Sequence, residues 1–238
     1  MFWRKTKAAI AEFHPLHQKL IWEHTLSATL PTSEWSALVA SLSRHNEAVH
    51  RRKWRLPART ETVLVPLIRV LCEDVAPDGA LGINADLRGH SVPGKAGPQQ
   101  QLPVQRPIRK LVQWWVQDPW LRVRSQLRDG SVLEFGVVDV VRHRRVSKTS
   151  RSGKYKTKSK SKAVQRIFTT RALAKGQPAA QPAGGPPPWI RVKVKPGPKT
   201  VIRASAKVPL PAERDQLGAI MTVATELFRW TGPTRRTA

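Results

Sequence analysis

The chain has one cysteine in 238 residues, so no disulfide can form within it. That residue, Cys72, follows Val70 and Leu71, the setting of a buried, unreactive thiol. No apolar run approaches the roughly 20 residues that a membrane-crossing helix needs. The opening residues Phe2, Trp3, Arg4 and Lys5 lack the order of a secretory leader, a charged stretch followed by an apolar one. A reducing cytoplasm is therefore the expected location. Acids are the most informative shortage. There are 16 of them against 42 lysines and arginines, and none between Asp139 and Glu213.

That acid-free stretch holds 19 of the basic residues and with them most of the net charge of +26. Charge gathered into one segment marks a binding surface, whereas charge spread evenly serves solubility. Apolar residues make up 40% of the chain, which together with 14 glycines is close to an ordinary globular composition, so a core can be built. Nine tryptophans are many for this length. Scattered along the chain beside aliphatic residues, they read first as core or interface anchors and second as surfaces on which bases could stack.

The first 75 residues read mainly as helix. Ile10, Phe13, Leu20 and Ile21 suggest one helix that Pro15 interrupts. Trp35, Leu38, Val39, Leu42 and Val49 fall on one face of a second, with Thr32 or Ser33 as N-cap and His50, Arg51, Arg52 and Lys53 as a basic last turn. Leu64, Leu67, Ile68, Leu71 and Val75 mark a third, bent near Pro66. Residues 80–87 form a short strand, and 89–107 a Pro/Gly/Gln-rich loop. A short segment around Ile108 to Trp115 precedes Asp118-Pro119, where strands begin: one through Leu121 and Val123, a turn at Asp129-Gly130, then a β-branched run over 132–141. A second turn at 150–153 reverses the chain into 154–173. Residues 174–188 are a low-complexity connection, 189–195 and 200–208 are two more strands, and Pro211 opens a terminal helix that Gly232-Pro233 stops.

The expected fold class is α+β: a mainly antiparallel meander sheet with a long protruding basic hairpin (137–171), and helices from both ends of the chain packed on one face. The N-terminal region 1–107 and the sheet region 108–238, with its linker (174–188) and helix (211–230), are expected to form one structural unit.

The hairpin carries the functional expectation. With 150–153 as the loop, Thr149 would face Lys154. Lys156, Lys158, Lys160 and Lys162 would then share a face with Ser147, Arg145, His143 and Val141, and Lys148, Arg144 and Arg142 would share the other with Tyr155, Ser159 and Ser161. Neither face has an apolar stripe near the tip, so a two-stranded arm is expected to project from the sheet. Lysines at alternate positions lie roughly 6.7 Å apart along a strand, a spacing suited to successive phosphates, and hydroxyls can donate to phosphate oxygens. The candidate contacts are Arg142, Arg144, Arg145, Lys148, Arg151, Lys154, Lys156, Lys158, Lys160, Lys162 and Arg166. They point to DNA or RNA held by its backbone with weak sequence preference, by a protein acting alone or as one subunit of a nucleoprotein assembly. The competing class is an adaptor docking an acidic protein or an anionic membrane surface.

No catalytic constellation stands out, and neither a cofactor nor a metal is expected. His14, His17 and His24 lack acidic or thiol partners at ligand spacing. His45, Asn46 and His50 lie on one helix without the hairpin that His-Asn-His nuclease chemistry uses. Asp118, Asp129, Glu134 and Asp139 would have to converge for a metal-dependent nuclease, the third reading. Gly94-Lys95 is followed by Ala96, where a phosphate-binding loop needs Ser or Thr.

Overall fold

A computed structural model describes residues 2–50, 52–76, 78–150 and 152–231. It is a mixed α+β structure built on an eight-stranded antiparallel sheet. The N-terminal part supplies α1 (Phe2–Ala11), α2 (Pro15–Glu23), β1 (Thr25–Pro31), α3 (Thr32–Ser43), the short α4 (His45–Ala48) and α5 (Val65–Asp74). Strands β2 (Ala80–Asp86), β3 (Gln100–Leu102), β4 (Ile108–Gln126), β5 (Val132–Thr149), β6 (Tyr155–Ala172), β7 (Ile190–Lys195) and β8 (Val201–Pro209) follow, then α6 (Glu213–Glu226). The strand order is β1-β2-β4-β5-β6-β8-β7, with β3 beside β4.

Several local features follow from residue chemistry. Pro15 opens α2, where its missing N–H costs nothing, and the His14 side chain caps the helix by accepting from the Leu16 N–H. The bend expected near Pro66 is a π turn over Thr60–Leu64 that runs into α5, with Pro66 in the first turn of α5. The long helix expected from Ser33 is shorter. It ends at Ser43, its N-cap is Pro31 without a side-chain cap, and His50, Arg52 and Lys53 lie beyond it. That basic cluster therefore does not sit at the C-terminus of α3, and Arg51 lies outside the described residues. The terminal helix begins at Glu213 with Ala212 as N-cap, so Pro211 precedes it. The Gly232-Pro233 stop falls outside the described residues.

Three strands depart from the expectation. Strand β3 lies within the stretch 89–107 expected as a loop, where Gln100–Leu102 pair with Leu111–Gln113 of β4. Strand β1 is hidden in a region of helical periodicity. Strand β4 is a single 19-residue strand that passes through Asp118-Pro119, because the register shifts between Pro119 and Leu121. A bulge is where a proline, which cannot donate to a ladder, fits an interior strand.

One cluster of buried side chains runs from Ile10 and Leu20 through Trp35, Leu64 and Leu67 to Leu121, Phe135, Val137, Ile167, Ile202, Ile220 and Leu227. On the sheet these positions alternate with exposed ones. In β8 the side chains of Ile202, Ala204 and Ala206 are buried while Arg203, Ser205 and Lys207 are exposed. Polar anchors tie helices to the buried side. The Trp35 indole donates to the Leu81 carbonyl at 2.8 Å, Arg171 reaches Thr231 at 3.0 Å and lies over the Phe228 ring, and Arg59 pairs with Asp139. The 174–188 connection is held by Ala180 N–H to the Trp230 carbonyl and by Arg229 to the Gly184 carbonyl.

Candidate nucleic-acid interface

The turn between β5 and β6 fixes the geometry of the basic hairpin. Gly153 takes φ 77°, Ser150 N–H donates to the Lys154 carbonyl at 2.8 Å, and Thr149 pairs with Tyr155. The register is therefore one residue away from the expected pairing of Thr149 with Lys154. In a sheet such a slip moves every side chain of one strand to the other face relative to its partner. Arg142 opposes Lys162, Arg144 opposes Lys160, Val146 opposes Lys158 and Lys148 opposes Lys156. The expected facing of Arg145 and Lys158 does not occur. Arg145 opposes Ser159, and Ser147 opposes Thr157 with their hydroxyls 3.1 Å apart.

This register gathers the cations that the expected one would have divided. Seven candidate residues of the distal hairpin (Arg142, Arg144, Lys148, Lys156, Lys158, Lys160 and Lys162) share one face, and Arg166 continues it along β6. Arg145 lies on the opposite face, beside hydroxyl-bearing partners. Lys154 is exposed in the turn, and Arg151 lies outside the described residues.

The two-stranded arm is also corrected. β4 pairs with β5 as far as Ile108 opposite Lys148, so the distal hairpin is the far end of a three-stranded sheet widened by β3. The other side of β6 behaves differently. β8 pairs with it only from Val164 to Ala172, and the Leu210 N–H reaches the Ala163 carbonyl, so, among the described residues, 155–162 have no strand partner on that side.

The same face extends beyond the hairpin. Following the register across the strands, Arg122, Gly136, Phe168, Ser205 and Arg191 form one cross-strand row. The next row is Arg124, Glu134, Thr170, Arg203 and Lys193, and Lys207 stands beside Arg166. Sequence reasoning missed these arginines and lysines. Their signal was present, since Arg122/Arg124, Arg191/Lys193/Lys195 and Arg203/Lys207 each alternate with apolar residues, but strand order is needed to join them. The Val140–Val164 pair separates Arg142 and Lys162 from Arg166 and Lys207.

Aromatic rings stand among these charges. Trp115 is 40% exposed and pairs with Arg142, whose guanidinium lies 5.7 Å from the ring centroid. Phe168 is 46% exposed, and Trp189 is 40% exposed. Trp35, Trp54 and Trp120 are buried as core anchors, so the tryptophans divide between buried and exposed positions.

Carboxylates are scarce on this face. Glu134 pairs with Arg124 at 3.1 Å. Among the described residues no carboxylate lies within ion-pair distance of Arg142, Arg144, Lys148, Lys156, Lys158, Lys160, Lys162 or Arg166. The acids considered for metal chemistry are each engaged elsewhere. Asp118 accepts from Lys95 at 2.7 Å, Asp139 takes Arg59, Gln165 and the Trp120 indole, and Asp129 takes Arg171 and Ser131. Burial raises the Asp129 carboxyl, but the Ser131 hydrogen bonds and the Arg171 charge outweigh it and hold the group below its ordinary value. Among the described residues no three His, Cys, Asp or Glu side chains gather as a metal site.

The histidines are structural in their contacts. His17 Nδ1 is 2.9 Å from the Ser41 hydroxyl, and its Nε2 is 2.9 Å from His45 Nδ1, with Phe13 stacked on the ring. Burial, followed by the neighbouring His45, His14 and Arg44, lowers His17 to about 3. Asn46 bonds Glu61. No protein-family model, curated protein or solved structure matches this chain.

Proposed function

We propose that the chain is a non-enzymatic nucleic-acid-binding protein that holds a phosphate backbone on the cationic face of its sheet. In this reading the helices of both ends cover the opposite face, the distal hairpin reaches out along the bound polyanion, and the protein serves alone or as a subunit of a nucleoprotein assembly. The observation that carries it is the register, which supports one face bearing Arg142, Arg144 and Lys148 directly opposite Lys162, Lys160 and Lys156. Directly opposed like charges destabilise a sheet, so a chain that keeps three such pairs gains by meeting an anion there.

Lysines on an edge strand also guard against edge-to-edge pairing, and that accounts for part of the pattern on β6. It does not account for Arg122 and Arg124 on β4, Arg142 and Arg144 on β5, or Arg203 and Lys207 on β8, all of which are interior strands. Lysines at roughly 6.7 Å intervals and hydroxyls on Thr170 and Ser205 suit backbone contacts, which carry little sequence information.

The test is the salt dependence of binding. If on the order of 5–8 phosphates are neutralised, log K falls against log salt with a slope of roughly −4 to −7. A slope near zero, or no binding at about 50 mM salt, would remove nucleic acid and favour an acidic protein partner.

A further inference from the structure

We infer that the face takes a single strand, whose bases stack on the exposed rings while its phosphates meet the flanking cations. This inference rests on the nucleic-acid reading above and adds the class of nucleic acid. It starts from Phe168. The ring lies across Gly136, where an added Cβ would collide with its Cζ. One side of the ring therefore covers glycine, a known way of repairing a weak point in a sheet. That need explains one side of the ring only, and Phe168 remains 46% exposed.

Its neighbours in the row leave the outer side clear. Gly136 has no side chain and Ser205 a small one, while Arg122 and Arg191 stand in the row two strands away on either side, roughly 9–10 Å from the ring at ordinary strand spacing. Phe168 and Trp189, with Arg166, Arg191 and Lys207, line one depression of about 500 Å³. A flat apolar ring framed by cations offers both things a nucleotide presents, a base with a π face and a phosphate. A duplex keeps its base faces stacked inside and could use the cations alone. Trp115 lies across two strands from Lys162, and Lys162 is six residues from Phe168, which puts the two rings roughly 20 Å apart, room for several nucleotides between them.

The decisive comparison uses three probes of equal charge on the full chain: a thymidine oligonucleotide, an abasic oligomer of the same length, and inorganic polyphosphate. The wild type is expected to bind the thymidine strand at least tenfold tighter than the abasic oligomer, and a duplex of equal length no tighter than its charge predicts. Phe168→Leu keeps an apolar cover over Gly136 but removes the π face. It should weaken the thymidine strand on the order of tenfold and leave the abasic oligomer and polyphosphate unchanged. Gly136→Ala displaces the ring without altering any charge and should have the same selective effect. Phe168→Trp should restore binding. Equal affinity for all three probes, unaffected by Phe168→Leu, overturns stacking while leaving backbone binding intact. Failure to bind any of the three overturns the nucleic-acid reading itself.

Discussion

The two kinds of cation in this sheet differ in what surrounds them. Arg171 and Arg59, on or against the buried side, are 4% and 14% exposed, and each has a carboxylate partner: Asp129 with Ser131 for the first, Asp139 for the second. Lys156, Lys158, Lys160 and Lys162 are exposed on a free edge, with no carboxylate in reach among the described residues. Both sets lie in or beside the same long strands. Where water is excluded a charge is kept only with its partner, whereas where water is present the charges can stand unpaired. Position relative to the core, and not residue type, separates the cations that hold the fold from those available to bind.

The strongest way to break this comparison is at Asp139. Replacing it with Ala leaves Arg59, Gln165 and the Trp120 indole without their acceptor inside the protein, and the expected loss is about 3–5 kcal/mol, read as a lower denaturation midpoint. Any folded fraction should bind a polyanion as the wild type does. A large binding defect with unchanged stability would reverse the assignment of Asp139 from structural to functional.

Replacing Lys156, Lys158, Lys160 and Lys162 with Ser should do the opposite. Polyanion affinity should fall steeply, with a salt slope shallower by up to about 0.9 for each phosphate that is no longer neutralised. The melting temperature should stay the same or rise slightly, since relief of the opposed pairs gives back a few tenths of a kcal/mol each and no cavity is left. Unfolding of this variant would mean that the lysines pack within the fold.

A third variant sharpens the extent of the face. Lys193→Ser, Arg203→Ser and Lys207→Ser together lie at the other end from the hairpin tip. If the face works as one surface, this triple change shallows the salt slope as well, by a smaller amount than the hairpin variant. An unaltered slope confines binding to residues 142–162.

A different readout, pH, addresses the buried histidines. His17 is lowered to about 3 in the folded chain against roughly 6.5 when unfolded, and His45 is lowered too, by burial. The unfolded chain therefore binds more protons below pH 6.5, and stability falls as pH drops from that value toward 3. The melting temperature should decline over this window in low salt, and His17→Gln should flatten part of the decline. A wild-type profile that is flat between pH 6.5 and 4 would contradict the buried His17–His45 contact.

Much of the sheet is legible from residues with clear local signals. The alternation in 190–195 and 201–208, the β-branched run after Gly130 and the Ser150–Gly153 turn all appear in the fold. Strand β1 is not legible, because Thr25 to Pro31 is short and lies between helices whose periodicity dominates any window that spans it. Strand β4 breaks into pieces on the sequence because Pro119 argues against an interior strand until a bulge absorbs it. The exposed aromatic is partly legible: Phe168 shares its strand parity with Arg166 and Thr170, whereas the buried Phe135 shares its parity with Leu133 and Val137, but that Phe168 lies across Gly136 is known only from the strand pairing.

By itself the sequence determined that this protein concentrates positive charge in one acid-free stretch, that the charge alternates along strands, and that a glycine turn folds those strands against each other. These are properties of composition and of a period of two. Which cations share a face was decided only by the tertiary structure. A slip of one residue exchanges the faces of a strand, and the local sequence around 150–153 allows either pairing. The core settles it, because burying Phe135, Val137 and Ile167 together fixes the register at the base of the hairpin, and the ladder carries that register out to the last lysine.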